Sequence, residues 1–212
     1  MDTPETTLGS SGGDAASEVD YIPLLTQLAA LRPPIFIFGG IAEDALLYGS
    51  ISRPHGDVDL VIRRDEVDDR IEQLRDLGFR EWMALYAATP DRPLVLGSRH
   101  GPYWLELGVA DQDANGHHYF VVRAAATDRP VRVSLPSDIF EFPAVRLNGI
   151  SLRTISPLAA FQIRTGLALT GAFSLPGDVE RHNRILATLR ARFFPGESES
   201  RLLPTVGEVT GP

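Results

Sequence analysis

Two aspartates one residue apart, Asp57 and Asp59, stand in the run Asp57-Val58-Asp59-Leu60-Val61-Ile62. Side chains alternate faces along a strand, so both carboxylates share a face, roughly 7 Å apart at Cα. Val58, Leu60 and Ile62 turn the other way, into a core. Two such carboxylates can converge on a hard divalent cation. Upstream, Gly39-Gly40 separates the apolar run Ile35-Phe36-Ile37-Phe38 from a segment with Ile41, Ala42, Ala45 and Leu46 at one-face helical spacing. A glycine pair opening a helix offers backbone N–H groups and the positive end of the helix dipole to phosphate. A phosphate cradle followed by a two-carboxylate metal site is equipment for phosphoryl or nucleotidyl transfer.

A third carboxylate should complete the site. Glu106 is the best placed, because Leu105, Leu107 and Val109 take the core face of their strand and leave Glu106 opposite; Asp111, at the strand's end, is the competitor. Arg53 and His55 immediately precede the aspartate strand, where a cation beside a triphosphate would make charge-assisted hydrogen bonds. His117-His118 lies beside a turn, and adjacent residues on a strand face opposite ways, which favours ordinary structural roles for this pair.

These residues need elements to carry them. Ile22, Leu25, Leu28 and Ala29 give a helix over Val19 to Leu31, ended by Pro33-Pro34. The strand Ile35–Phe38, the Gly-Gly turn and a helix to about Tyr48 follow, with Gly49 as C-cap. After the aspartate strand, Asp65 to Leu77 reads as a helix buried through Val67, Ile71 and Leu74. Strands are expected over Phe79–Ala88, Leu94–Ser98, Tyr103–Ala110 and Tyr119–Arg123, with turns at Pro90-Asp91-Arg92-Pro93, Arg99–Pro102 and Asn115-Gly116. Ala124 to Ile155 is short-patterned and irregular. Ser156-Pro157 opens a helix to about Thr170, and Asp178 to Phe194 is a second.

The fuller pattern in this region, GG-x-A-x-DALLYG-x-x-x-R-x-H-x-D-x-DL over Gly39 to Leu60, resembles the DNA polymerase β-like nucleotidyltransferase superfamily. Within it, the pattern is similar to the small antibiotic adenylyltransferases of aminoglycoside-2'' and lincosamide type. The resemblance implies an α+β nucleotidyltransferase fold, a mixed β-sheet flanked by helices with a C-terminal helical pair. It implies a third acid on a neighbouring strand, serving as metal ligand, general base or both, and an acid at Asp44 that would orient the loop bearing Arg53 and His55. A Lys-Asp pair common in the last helix of such enzymes corresponds here to Arg181-His182, and Arg164 on the preceding helix is a further candidate phosphate contact. The implied activity is Mg²⁺-dependent transfer of a nucleoside monophosphate, AMP from ATP or its equivalent from another nucleoside triphosphate, to a hydroxyl of a small molecule. Two Mg²⁺ ions would sit on Asp57, Asp59 and Glu106, and aminoglycosides or lincosamides are the implied acceptors.

The 212 residues suffice for residues 18–155 as the transferase domain with a helical part, 156–195, packed on it; an arm, 1–17, and a tail, 196–212, rich in Gly, Ser, Thr and acids, read as disordered. The formal charge of −8 and a sequence pI near 5.1 count against a nucleic-acid partner, and an acidic cleft would attract a polycation. All 20 basic residues are arginine, and cysteine is absent, which excludes disulfides and thiolate metal sites. No apolar run approaches ~18 residues, and the N-terminus lacks a secretory pattern, so a cytoplasmic protein without membrane attachment is expected. Two other readings share the motif: a toxin-type transferase acting on RNA or protein, and a nucleotide-binding relic of the fold without catalysis.

Overall fold

A computed structural model of the chain describes residues 19–89, 92–125, 127, 129–171 and 176–209. The arm 1–17, Pro90-Asp91 of the turn and the last three residues of the tail lie outside the described residues. The first helix, α1 (Ile22–Ala30), carries Leu24, Leu25 and Leu28 on its buried side. It leads to β1 (Phe36–Phe38), α2 (Gly39–Leu47) and β2 (Val58–Arg63). A 3-10 turn, Arg64–Glu66, precedes α3 (Val67–Asp76). Then come β3 (Trp82–Thr89), β4 (Arg92–His100), β5 (Tyr103–Gln112), β6 (His118–Ala124) and β7 (Arg129–Ser134). A small hairpin, β8 (Val145–Leu147) and β9 (Ile150–Leu152), leads into α4 (Pro157–Leu169) and α5 (Pro176–Phe193). Ser156 caps α4 by accepting the Ala159 N–H, the role its hydroxyl and the following proline suit.

The main sheet is mixed and mostly antiparallel. β2 pairs antiparallel with β1 and parallel with β5, and β4 lies antiparallel on the far side of β5. The end of β5 pairs with β6, which pairs with β7. The parallel β2–β5 register sets Asp59 opposite Glu106, and Phe38 stands opposite Asp59 from β1. Alternation divides these strands between two cores. Val58, Leu60, Ile62, Leu105 and Leu107 face α1 and α3 with Ile37. Val61, Ala110 and Phe120 face the other way, toward Ala159, Ile163, Ile185 and Leu189 of α4 and α5. Asp59 and Glu106 belong by parity to this second face, so the C-terminal helices lie over the carboxylates' side of the sheet. Helix α2 spans both cores, giving Ile41, Ala42 and Ala45 to the first and Leu46 and Leu47 to the second.

Two stretches differ from the sequence expectation. Within the segment read as irregular, β7, β8 and β9 form. Asn148 and Gly149 both adopt positive φ, 49° and 83°, and join Leu147 to its partner Ile150, which is the two-residue turn that Asn-Gly favours. In the tail expected to be disordered, α6 (Glu199–Leu202) and β10 (Val206–Glu208) form instead. β10 adds to the otherwise open edge of β7, with Val206 opposite Val133, and Leu202 is buried. The tail is held by backbone pairing to an edge strand, which needs no apolar pattern of its own. Among the described residues, no helix is long and apolar enough to cross a membrane.

Candidate active site

The carboxylates of Asp57, Asp59 and Glu106 meet, offering one oxygen each with all three atoms within 4.8 Å of one another. Asp59 and Glu106 are brought together by strand register and Asp57 by its position one residue before β2. All three are half-buried. Burial raises the pKa of Asp59 well above the usual carboxylate range, and the negative charges of Asp57, Glu106 and Glu43 push it further; an N–H from Gly40 opposes them. Burial also raises Asp57, against the neighbouring His55 and Arg53. A cluster of oxygen donors with no thiolate or imidazole in it, electrostatically costly by itself, suits a hard cation such as Mg²⁺. One oxygen of Glu106 already accepts the indole N–H of Trp104 at 3.0 Å.

Gly39 begins α2 with φ of +64°, and a Cβ there would fall inside the Asp59 carboxylate. Only glycine meets both conditions. A Cβ on Gly40 would come within 2.6 Å of the Arg53 guanidinium and 2.8 Å of His55 Nδ1. Both cationic candidates thus face the helix N-terminus. Their loop is fixed by Asp44, which is 2% exposed and accepts from Ser52 N at 2.8 Å, Ser52 Oγ at 2.5 Å and His55 Nε2 at 2.9 Å. Burial pushes the Asp44 carboxyl up, but the hydrogen bonds from His55 and Ser52 outweigh it and leave its pKa below the ordinary value. The second nitrogen of His55 is thereby turned toward Gly40.

The remaining candidates are placed elsewhere. Asp111 is taken by Arg64, through Nε at 3.0 Å and Nη2 at 3.1 Å, so Glu106 is the acid beside the aspartates. Arg164 on α4 forms a buried ion pair with Glu43 on α2, at 2.6 and 2.5 Å. Its guanidinium ties the two helices together beside the site. Arg181, largely exposed, lies 3.6 Å from Asp178 and lines a small cleft with Arg53 and Arg184. His182 is buried, and burial together with Arg164 lowers its pKa. His118 is buried against Phe140 while His117 is exposed.

Glu43 and Trp104 were not singled out from the sequence. Trp104 could have been, since it stands two residues before Glu106 and so shares its face. Glu43 sits one turn after Gly39, where helical spacing turns it toward the same side, but an acid in a helix ordinarily reads as solvated.

Beside the carboxylates lies a cavity of about 200 Å³. Asp59 and Glu106 form one wall; the rest includes Phe38, Phe120, Ile163 and Leu167.

No protein-family model matches the chain, and no match is found among curated proteins. Among solved structures it is similar to the crystal structure of ANT(2'')-Ia in complex with adenylyl-2''-tobramycin, with a TM-score of 0.56 and 18% identity over 85% of this chain and 90% of that one. A lincomycin-bound lincosamide antibiotic adenylyltransferase, LnuA, aligns with a TM-score of 0.46 and 16% identity, over 74% of this chain and 85% of that one. With its mixed sheet, flanking helices and this likeness along most of both chains, the protein has the nucleotidyltransferase fold.

Proposed function

We propose that the chain transfers a nucleoside monophosphate, AMP from ATP in the expected case, to a hydroxyl of a small molecule such as an aminoglycoside or a lincosamide. The observation that carries this reading is the convergence of Asp57, Asp59 and Glu106 directly beside the Gly39-Gly40 helix start. Asp57, Asp59 and Glu106 would hold Mg²⁺, which supplies charge neutralisation of the triphosphate and a lowered pKa for the acceptor hydroxyl. Arg53 and His55 bind the phosphates, with guanidinium and imidazole respectively, at the helix start that Gly39 and Gly40 keep clear of side chains. The acceptor oxygen bonds to the α-phosphorus, the bond from that phosphorus to the bridging oxygen breaks, and pyrophosphate leaves. Glu106 takes the hydroxyl proton through the oxygen that Trp104 does not occupy. Asp44 positions His55, and the Arg164–Glu43 pair positions α4 over the site. Most of the acceleration would come from orientation and electrostatics.

Calorimetric titration with ATP and GTP, with and without Mg²⁺, tests the nucleotide half. Label transfer from ATP to a panel of aminoglycosides and lincosamides tests the acceptor half. Mg²⁺-dependent nucleotide binding with label transfer supports the reading. Binding without transfer to any small molecule, RNA or protein favours a catalytically silent relic, and absence of nucleotide binding refutes both.

A further inference from the structure

We propose that the cavity beside Asp59 and Glu106 is the acceptor subsite, and that it selects a hydroxyl compound carrying an uncharged apolar ring or short branched chain. The inference rests on the transferase reading and narrows its acceptor class. β1 runs antiparallel to β2, so the chain leaving Phe38 for Gly39 and Gly40 moves toward the Asp57 end of the carboxylates. Arg53 and His55 gather at that end. The cavity lies at the other end, where β5 continues past Glu106 to Gly108. The carboxylates therefore separate a phosphate-binding side from an apolar side. An in-line displacement has this polarity, with the nucleophile arriving opposite the leaving pyrophosphate.

The lining decides what arrives. Apart from Asp59 and Glu106, the walls are Phe38, Phe120, Val133, Ile163 and Leu167 among other aliphatic residues and Gly108. Among the described residues, no lining side chain remains to pair the amino groups of a polycation once the two carboxylates hold metal. A purine would leave its ring nitrogens facing aliphatic walls, an unpaired burial that costs binding. A cavity of about 150 Å³ with such walls accepts benzene, so about 200 Å³ takes one ring or a short branched chain. Gly108 keeps the floor open: a Cβ there would stand 3.3 Å from Phe38 and 3.6 Å from Phe120.

The test uses alkyl β-D-glucosides from methyl to octyl as probes. They are titrated calorimetrically into the full chain alone and into the chain loaded with Mg²⁺ and α,β-methylene-ATP. Affinity should rise about fourfold per added methylene and then level off as the cavity fills. Leu167→Trp, which fills the space from α4, should flatten the series without changing nucleotide affinity. Leu167→Ala should move the plateau to a longer chain, a readout that does not depend on the tryptophan variant folding. A flat series in the wild type, tobramycin binding more tightly than every glucoside, or Leu167→Trp weakening the nucleotide instead would overturn the proposal. If the nucleotide analogue does not bind at all, the transferase reading fails, while the series on the unloaded protein still decides whether the cavity takes an apolar group.

Discussion

Replacing Asp59 by asparagine keeps the side chain's shape and removes one negative charge from a cluster whose donor atoms lie within 4.8 Å. Two unit charges at that distance repel by about 1 kcal/mol in water and about 3.5 kcal/mol at an effective dielectric of 20. The groups are half-buried, and a raised pKa lets Asp59 shed part of the repulsion by taking up a proton. The lower part of that range is therefore the sound expectation, about 1–2 kcal/mol of stabilisation of the metal-free protein. Asparagine Oδ1 can still accept the Gly40 N–H that Asp59 accepts, so no buried donor is orphaned. For a chain of this size each kcal/mol moves Tm by about 2–4 °C, so the metal-free variant should melt about 2–8 °C higher than the wild type. Mg²⁺-ATP at a hundredfold excess over Kd stabilises the wild type by about 2.7 kcal/mol through mass action and should reverse that order. The variant should gain little, and its transfer rate should fall on the order of 10²-fold or more. Differential scanning calorimetry with and without Mg²⁺-ATP reads both halves. A variant that melts below the wild type without ligand, or is stabilised equally by Mg²⁺-ATP, would refute the argument that these acids repel one another and hold the metal.

Gly40→Val places a side chain against Arg53 and His55 and should weaken nucleotide binding at least tenfold, about 1.4 kcal/mol; unchanged affinity by calorimetry in a folded variant would put the phosphate cradle elsewhere. Arg164→Ala strands the buried Glu43 carboxylate and should cost about 3–5 kcal/mol in urea unfolding, with Glu43→Gln restoring part of the loss in the same background. His118 is held below its ordinary pKa by burial first and by Arg63 second, so between the unfolded value of about 6.5 and the lower folded one the unfolded state binds more protons. Stability should therefore be full above about pH 6.5 and fall as the solution is acidified, and His118→Gln should flatten that slope in urea midpoints measured from pH 7.5 to 5.

The site's framework was legible because local rules governed it. A period of two placed Asp57, Asp59 and Glu106 on one face, and helical spacing after Gly39-Gly40 placed a helix N-terminus beside them. What could not be read was which charges would find each other across the chain. Arg164 and Glu43 stand 121 positions apart, and nothing at either position distinguishes a phosphate contact from half of a buried pair. Asp111 and Glu106 lie on the same strand five residues apart, so alternation sets them on opposite faces, and Arg64, just past the end of β2, takes Asp111. The β8–β9 hairpin was legible in principle from Asn148-Gly149, but the flanking three-residue strands are too short to show alternation. β10 carried no signal at all, since its residues are exposed and only the β7 edge orders them.

Helix α2 explains why so many unlike residues crowd into one short segment. Its nine residues bury apolar side chains into both cores, which fixes its axis against the sheet. With the axis fixed, each polar position has a set destination. Gly39 and Gly40 lie against Asp59 and the cationic loop, Asp44 seizes Ser52 and His55, and Glu43 reaches across to Arg164 on α4. Through Asp44 and Glu43 the helix joins the loop of Arg53 and His55 to α4, whose Ile163 and Leu167 line the apolar cavity.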